Sequence, residues 1–151
     1  MRNDSCFKAN CHIEGFERYK YSKEYSEWYR PDLVLEKIQD KEKDSDSKTI
    51  IIAEDSTTGD RKSHIAEIIQ FITHIKNDGG NKKYYYMLFI PQKDGSEAPK
   101  VEIERKRIKY YYEEMAPDDV KNRVEGIYVI DENVVNIEKL TLDVLENWRV
   151  I

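Results

Sequence analysis

Thr49-Ile50-Ile51-Ile52-Ala53-Glu54-Asp55-Ser56 is the stretch on which the fold turns. Its β-branched, uninterrupted apolar run has the character of a buried strand. It stops abruptly in two acids and a hydroxyl. Upstream, Pro31-Asp32-Leu33-Val34-Leu35 starts a second apolar run directly after an acid. Pro31 can open a strand but not lie inside one, so this run, extended to Ile38, predicts the preceding strand. The polar segment Asp40 to Lys48 between them predicts a solvated hairpin loop. Two strands this close in sequence pair antiparallel. That pairing sets Asp32, at the start of one, beside Glu54, at the end of the other.

The segment Thr57-Thr58-Gly59-Asp60 is turn-forming, and Thr58 or Asp60 can cap a helix that starts after it. Ile65, Ile68, Ile69, Ile72 and Ile75 recur at helical spacing, predicting an amphipathic helix that Asn77-Asp78-Gly79-Gly80 ends. His64, Glu67, Phe71 and His74 fall on an adjacent face, with Gln70 beside them. His64 and Glu67 have helical spacing for a shared metal, and equally for a solvated helix edge. Further out, Phe7, Cys11 and Ile13 predict a short helix stopped by Gly15. The alternation from Phe16 to Lys23 predicts a half-buried strand, with helix the competing reading for residues 22–29. Lys82 to Ile90 predicts a strand stopped by Pro91, and Pro99 fits the first turn of another helix. That helix carries Val101, Ile108, Tyr112 and Met115 on one side and a basic run from Lys100 to Lys109. Gly126 to Ile130 predicts a last strand, and Leu142, Leu145 and Trp148 a short closing helix. The sum is a single α/β domain with a mixed sheet and helices packed on it.

Composition narrows the function classes. Within 151 residues, 39% are hydrophobic and 36% charged, enough apolar content for a core beneath a highly charged surface. No apolar stretch approaches the ~20 residues that span a bilayer, and Met1-Arg2-Asn3-Asp4 lacks a signal-peptide core. Those features predict a cytoplasmic protein with no membrane partner. Cys6, Cys11 and His12 fall short of a four-ligand zinc site. A net charge of −5 argues against coating nucleic acid by bulk electrostatics. It leaves room for acids gathered at a metal with bases elsewhere. Tyr84-Tyr85-Tyr86 and Tyr110-Tyr111-Tyr112 can stack on bases, although a strand or helix must turn part of each run into the core. Glu102 and Glu104 within the basic run allow ion pairing along the helix in place of phosphate contact.

Asp32 and Glu54 can supply carboxylates to Mg²⁺, and the main-chain carbonyl of Asp55 a third oxygen. A site of that kind activates water and offsets charge on a phosphodiester. Arg30-Pro31-Asp32-Leu33-Val34-Leu35, a hairpin, then Ile50 to Ser56 and a helix resembles the PD-(D/E)xK nuclease superfamily, with its restriction endonuclease-like fold. By element order the resemblance runs from about residue 5 to 130. By motif it covers residues 31–32 and 54–56. It implies a core of helix, three strands, helix and strand, Mg²⁺ or Mn²⁺ bound by Asp32 and Glu54, and DNA as substrate. Cutting both strands would call for a homodimer. The chain departs from the motif at Ser56, where the superfamily carries lysine. The resemblance then implies that Lys62 in the following helix takes the displaced role, with Arg61 as runner-up. It also implies that Glu67 supplements the metal carboxylates and that Gln70 matches the helix glutamine of one branch, though His74 stands where that branch has tyrosine. A nuclease-like module without catalysis, binding nucleic acid or a protein, is the alternative that Ser56 raises.

Overall fold

The structure is a computed structural model that describes residues 4–19, 28–44, 47–56, 61–91 and 101–151, with the side chains of 4–6 and 61–63 outside the description. The elements run α1 (Asp4–Asn10), β1 (Phe16–Arg18), β2 (Leu33–Lys37), β3 (Thr49–Asp55), α2 (Arg61–Asn77), β4 (Lys83–Ile90), α3 (Val101–Met115), α4 (Asp118–Lys121), β5 (Val124–Asp131) and α5 (Leu142–Leu145). The strands form one five-stranded sheet in sequential order. β1, β2 and β3 pair antiparallel, whereas β3, β4 and β5 pair parallel. The change falls where hairpin connections give way to helical crossovers, because parallel neighbours need a long return path. The expected mixed α/β sheet is therefore present.

Side chains alternate between the two faces of each strand, and both faces are covered. Ile50 and Ile52 of β3 join Tyr84, Tyr86, Leu88, Ile127 and Val129 against Ile68, Phe71 and Ile75 of α2 and Ile108 and Tyr112 of α3. Ile51 and Ala53 face the other way, with Met87, Phe89 and Ile130 under Phe7 of α1, Leu140 and Leu145. The even-numbered row of β3, continued outward, is Glu54 and Ser56. Those two side chains leave the core toward α2 and α3.

Several local expectations are corrected. The N-terminal helix ends at Asn10, and Gly15, at a φ of 87°, makes the turn into β1. The strand at Phe16 is described only to Arg18; residues 20–27, with most of the competing helix, lie outside the described residues, as do Thr58, Asp60 and Pro99. β2 stops at Lys37, and Ile38–Asp40 turns as a 3-10 segment. The following loop is not wholly solvated. Buried Asp40 accepts the Thr49 N–H at 2.7 Å, and buried Lys48 donates to Glu36 at 2.7 Å. Burial raises the Asp40 carboxyl, but its hydrogen bonds from Thr49 and Lys43 prevail and hold it below the usual range. On α2, Phe71 and His64 belong to the buried face, and Ile65 and Ile69 are only half-buried. Met115 at the end of α3 is exposed. The tyrosine runs divide as packing requires: Tyr84, Tyr86 and Tyr112 are buried and Tyr110 is exposed.

Gly126 is required by close approach. A Cβ there would sit 3.0 Å from Tyr128 Cε2, 3.2 Å from Tyr128 Oη and 3.4 Å from Arg149 Cζ. The Arg149 guanidinium lies over the Tyr128 ring and donates to Glu125 O, tying the C-terminal segment to β5. Gly126→Ala is expected to cost about 1–3 kcal/mol by overpacking. An unchanged urea midpoint would show that the ring moves aside freely.

Candidate active site

The β2–β3 ladder builds the site. Leu33 pairs with Ala53, so the next position outward sets Asp32 beside Glu54. The Asp55 N–H donates to Asp32 Oδ2 at 2.7 Å. Asp32 in turn reaches the Glu54 carboxyl with both its main-chain N–H and its own carboxyl group. Glu67 approaches from α2. Burial pushes the Glu54 carboxyl up to about 9, with the negative charges of Glu67 and Asp32 adding to it. Burial likewise pushes Glu67 up to about 7, reinforced by Asp32 and Asp55. The Tyr86 hydroxyl lies against the same group and is held protonated by burial and by Glu67 and Glu54. Glu54 and Glu67 are thereby both disfavoured in their ionised forms. At neutral pH Glu54 keeps a proton, and Asp32 is its hydrogen-bond partner.

Asp32 and Glu54 are the residues here that could hold a divalent cation. A proton now bridges two carboxyls that would otherwise repel, and a doubly charged ion serves the same end more strongly. Among the described residues no group of three or more His, Cys, Asp or Glu side chains is gathered to hold a metal. The site is a carboxyl pair with Glu67 behind it. Mg²⁺ commonly keeps several waters and takes one or two carboxylates with substrate phosphate. Asp55 follows the opposite row of β3, but its charge still reaches Glu67, and its main chain can contribute an oxygen here.

Of the remaining expected residues, Gln70 falls elsewhere. Lys62 and Arg61 open α2, but their side chains lie outside the described residues. Gln70 is exposed and lines a cavity of about 520 Å³ with Trp28, Tyr29, Thr73, His74 and Asn77. His74 stacks against Tyr29 with ring centroids 5.1 Å apart. Burial pushes its imidazole down to about 4, against the pull of Asp78.

His64 is the main surprise. It is neither a solvated edge nor paired with Glu67. It is 1% exposed and bridges Ser56 Oγ, at its Nε2, to Glu104 Oε2, 2.8 Å from its Nδ1. Arg107 Nη1 holds the other oxygen of Glu104 at 2.6 Å. One sequence signal pointed this way. Val101, Glu104, Ile108 and Tyr112 share a helical stripe, as do His64, Ile68, Phe71 and Ile75, so each apolar face carries one polar residue in need of a buried partner. Their pairing spans 40 residues and is visible only in the fold.

No family model, curated protein or solved structure matches the chain. Among the described residues no helix is long and apolar enough to cross a membrane.

Proposed function

We propose that the protein is a metal-dependent nuclease that hydrolyses DNA phosphodiester bonds at the Asp32–Glu54 pair, using Mg²⁺ or Mn²⁺. The observation that carries this reading is the carboxyl pair itself: the β2–β3 register sets Asp32 beside Glu54, and Asp32 Oδ2 is fixed there by the Asp55 N–H at 2.7 Å. A protein that used these acids only for packing would place apolar groups there at lower cost. The order of helix, three strands, helix and strand around the pair is that of the restriction endonuclease-like core, and supports the same reading. The metal, when bound, would polarise a phosphoryl oxygen and lower the pKa of a coordinated water. Asp32 and Glu54 would hold it, and Glu67 would supply a further charge from α2. Of the basic run on α3, Arg107 is paired with Glu104, and Arg105 donates to the Asn147 and Arg149 carbonyls. Lys106 and Lys109 are the exposed cations that remain there for phosphate contact.

The alternative, a nuclease-like module that binds without cutting, draws on one observation: Ser56 in place of lysine. A plasmid-cleavage assay separates the two. The wild type is expected to nick supercoiled DNA with Mg²⁺ or Mn²⁺ and not with EDTA, and Asp32→Ala to lose about 100-fold or more of that rate. Cleavage that survives Asp32→Ala would place the activity elsewhere. Retained DNA binding without cleavage in either metal would favour the module.

A further inference from the structure

Ser56, His64 and Glu104 are 4%, 1% and 0% exposed, a costly set to bury unless each hydrogen bond is made. Each is made. Ser56 Oγ meets His64 Nε2, His64 Nδ1 meets Glu104, and Arg107 holds Glu104 in place. The three come from β3, α2 and α3, so the chain of contacts crosses the layers of the domain at one point. That point is two residues beyond Glu54 on the same row of β3. The hydroxyl therefore follows Glu54 on the same side of the strand, at the position where the motif lysine would be.

We infer that Ser56, His64 and Glu104 form a proton relay that takes over the work of the missing lysine on the attacking water. The inference rests on the nuclease reading of the carboxyl pair. In the step, a water proton passes to Ser56 Oγ as the Ser56 proton passes to His64 Nε2. The water oxygen bonds to phosphorus, the phosphorus–oxygen bond to the leaving group breaks, and the leaving oxygen keeps the electron pair and is protonated from solvent. His64 then returns its proton through Ser56. Glu104 is a positioning residue: its carboxylate accepts a hydrogen bond from the His64 Nδ1–H, which leaves Nε2 free to accept.

A serine nucleophile uses the same order of side chains. Two features turn this one toward water. The neighbour on the same row is a carboxyl group, Glu54, whereas a developing oxyanion needs donors. The neighbouring main-chain donors are also engaged, Asp55 N–H with Asp32 and Ser56 N–H with Phe89 O at 2.9 Å.

The test uses the full chain with Mn²⁺ and plasmid DNA. His64→Asn and Ser56→Ala are expected to lower kcat by about 10²–10⁴-fold, with KM and calorimetric Mn²⁺ affinity within about threefold of wild type. Ser56→Thr, which keeps the hydroxyl, is expected to retain most of the rate. Nitrogen NMR should show the His64 tautomer protonated at Nδ1, and Glu104→Gln should disturb that signature. A wild type that cleaves while His64→Asn cleaves equally well overturns the relay and leaves the nuclease reading standing. A wild type that cleaves with neither metal overturns both. Labelling of Ser56 by a fluorophosphonate, lost in His64→Asn, would make Ser56 the nucleophile and overturn the relay.

Discussion

Glu54→Gln is expected to stabilise the metal-free protein at pH 8 by about 2 kcal/mol or more, and to flatten the dependence of its stability on pH. The sign comes from proton binding. The folded Glu54 holds its proton up to about 9, against an ordinary value of 4.5. Between those values the native state carries a proton that the unfolded chain has released. The stability contribution is therefore complete below the unfolded value and drains as pH rises toward 9. Glu67, pushed to about 7, acts with the same sign over a narrower window. His74, pushed down to about 4, acts oppositely: the fold loses stability as pH falls through 6.5 toward 4. With two carboxyls against one imidazole, urea midpoints of the metal-free wild type should fall from about pH 5.5 to pH 8.5. Glutamine mimics the protonated side chain and removes most of that decline. Mn²⁺ should raise the wild-type midpoint at pH 8 and leave that of Glu54→Gln nearly unchanged. Equal pH slopes in the two proteins would contradict the placement of Glu54 among other acids.

Asp78→Ala is expected to cost about 3 kcal/mol, at the lower end for a buried ion pair because Asp78 is partly solvated. Its carboxylate accepts from the Tyr84 hydroxyl at 2.6 Å and pairs with Lys82 at 3.4 Å and Arg123 at 3.2 Å. Burial alone would raise this carboxyl, but the hydrogen bonds and the Lys82 charge prevail and lower it. Arg123 also donates to the carbonyls of Ile75 and Asp78 at 3.0 and 2.6 Å, closing the C-terminal turn of α2 with a cation. The substitution therefore removes one acceptor from a buried lysine and tyrosine and loosens the hold on that turn. Asp78→Asn, which keeps an acceptor for Tyr84, should lose about half as much. Thermal unfolding of the two variants beside wild type measures the difference. Equal losses would mean that the charge, and not the acceptor, is what matters.

Both predictions concern groups whose roles differ in how far they could be read from the chain. Asp32 and Glu54 were legible as neighbours because an antiparallel hairpin couples sequence distance to register. Leu33 opposite Ala53 is the outcome of two apolar runs and a short loop. Asp78 was legible only as a turn residue ending α2. Its three partners come from the segment after α2, from β4 and from the residue before β5, and no local pattern joins them. Lys48, placed in a solvated loop by its charged surroundings, is buried against Glu36 by a strand pairing that composition does not encode.

From local pattern alone came the order and type of the larger elements, though not the short helix α4, together with the antiparallel pairing of β2 with β3 and the acid pair at their ends. These arise from period-2 and period-3.6 apolar patterns and from short connections, all of which are local. Tertiary structure decided what those local features do. It turned His64 from a helix-edge residue into the link between Ser56 and Glu104, because α2 and α3 pack on one face of the sheet and bring residues 40 apart within 2.8 Å. It also set the protonation of Glu54, which depends on desolvation and on the charges of Asp32 and Glu67 around it. Burial and proximity are properties of the packed chain, and a sequence states them only where its contacts are close along the backbone.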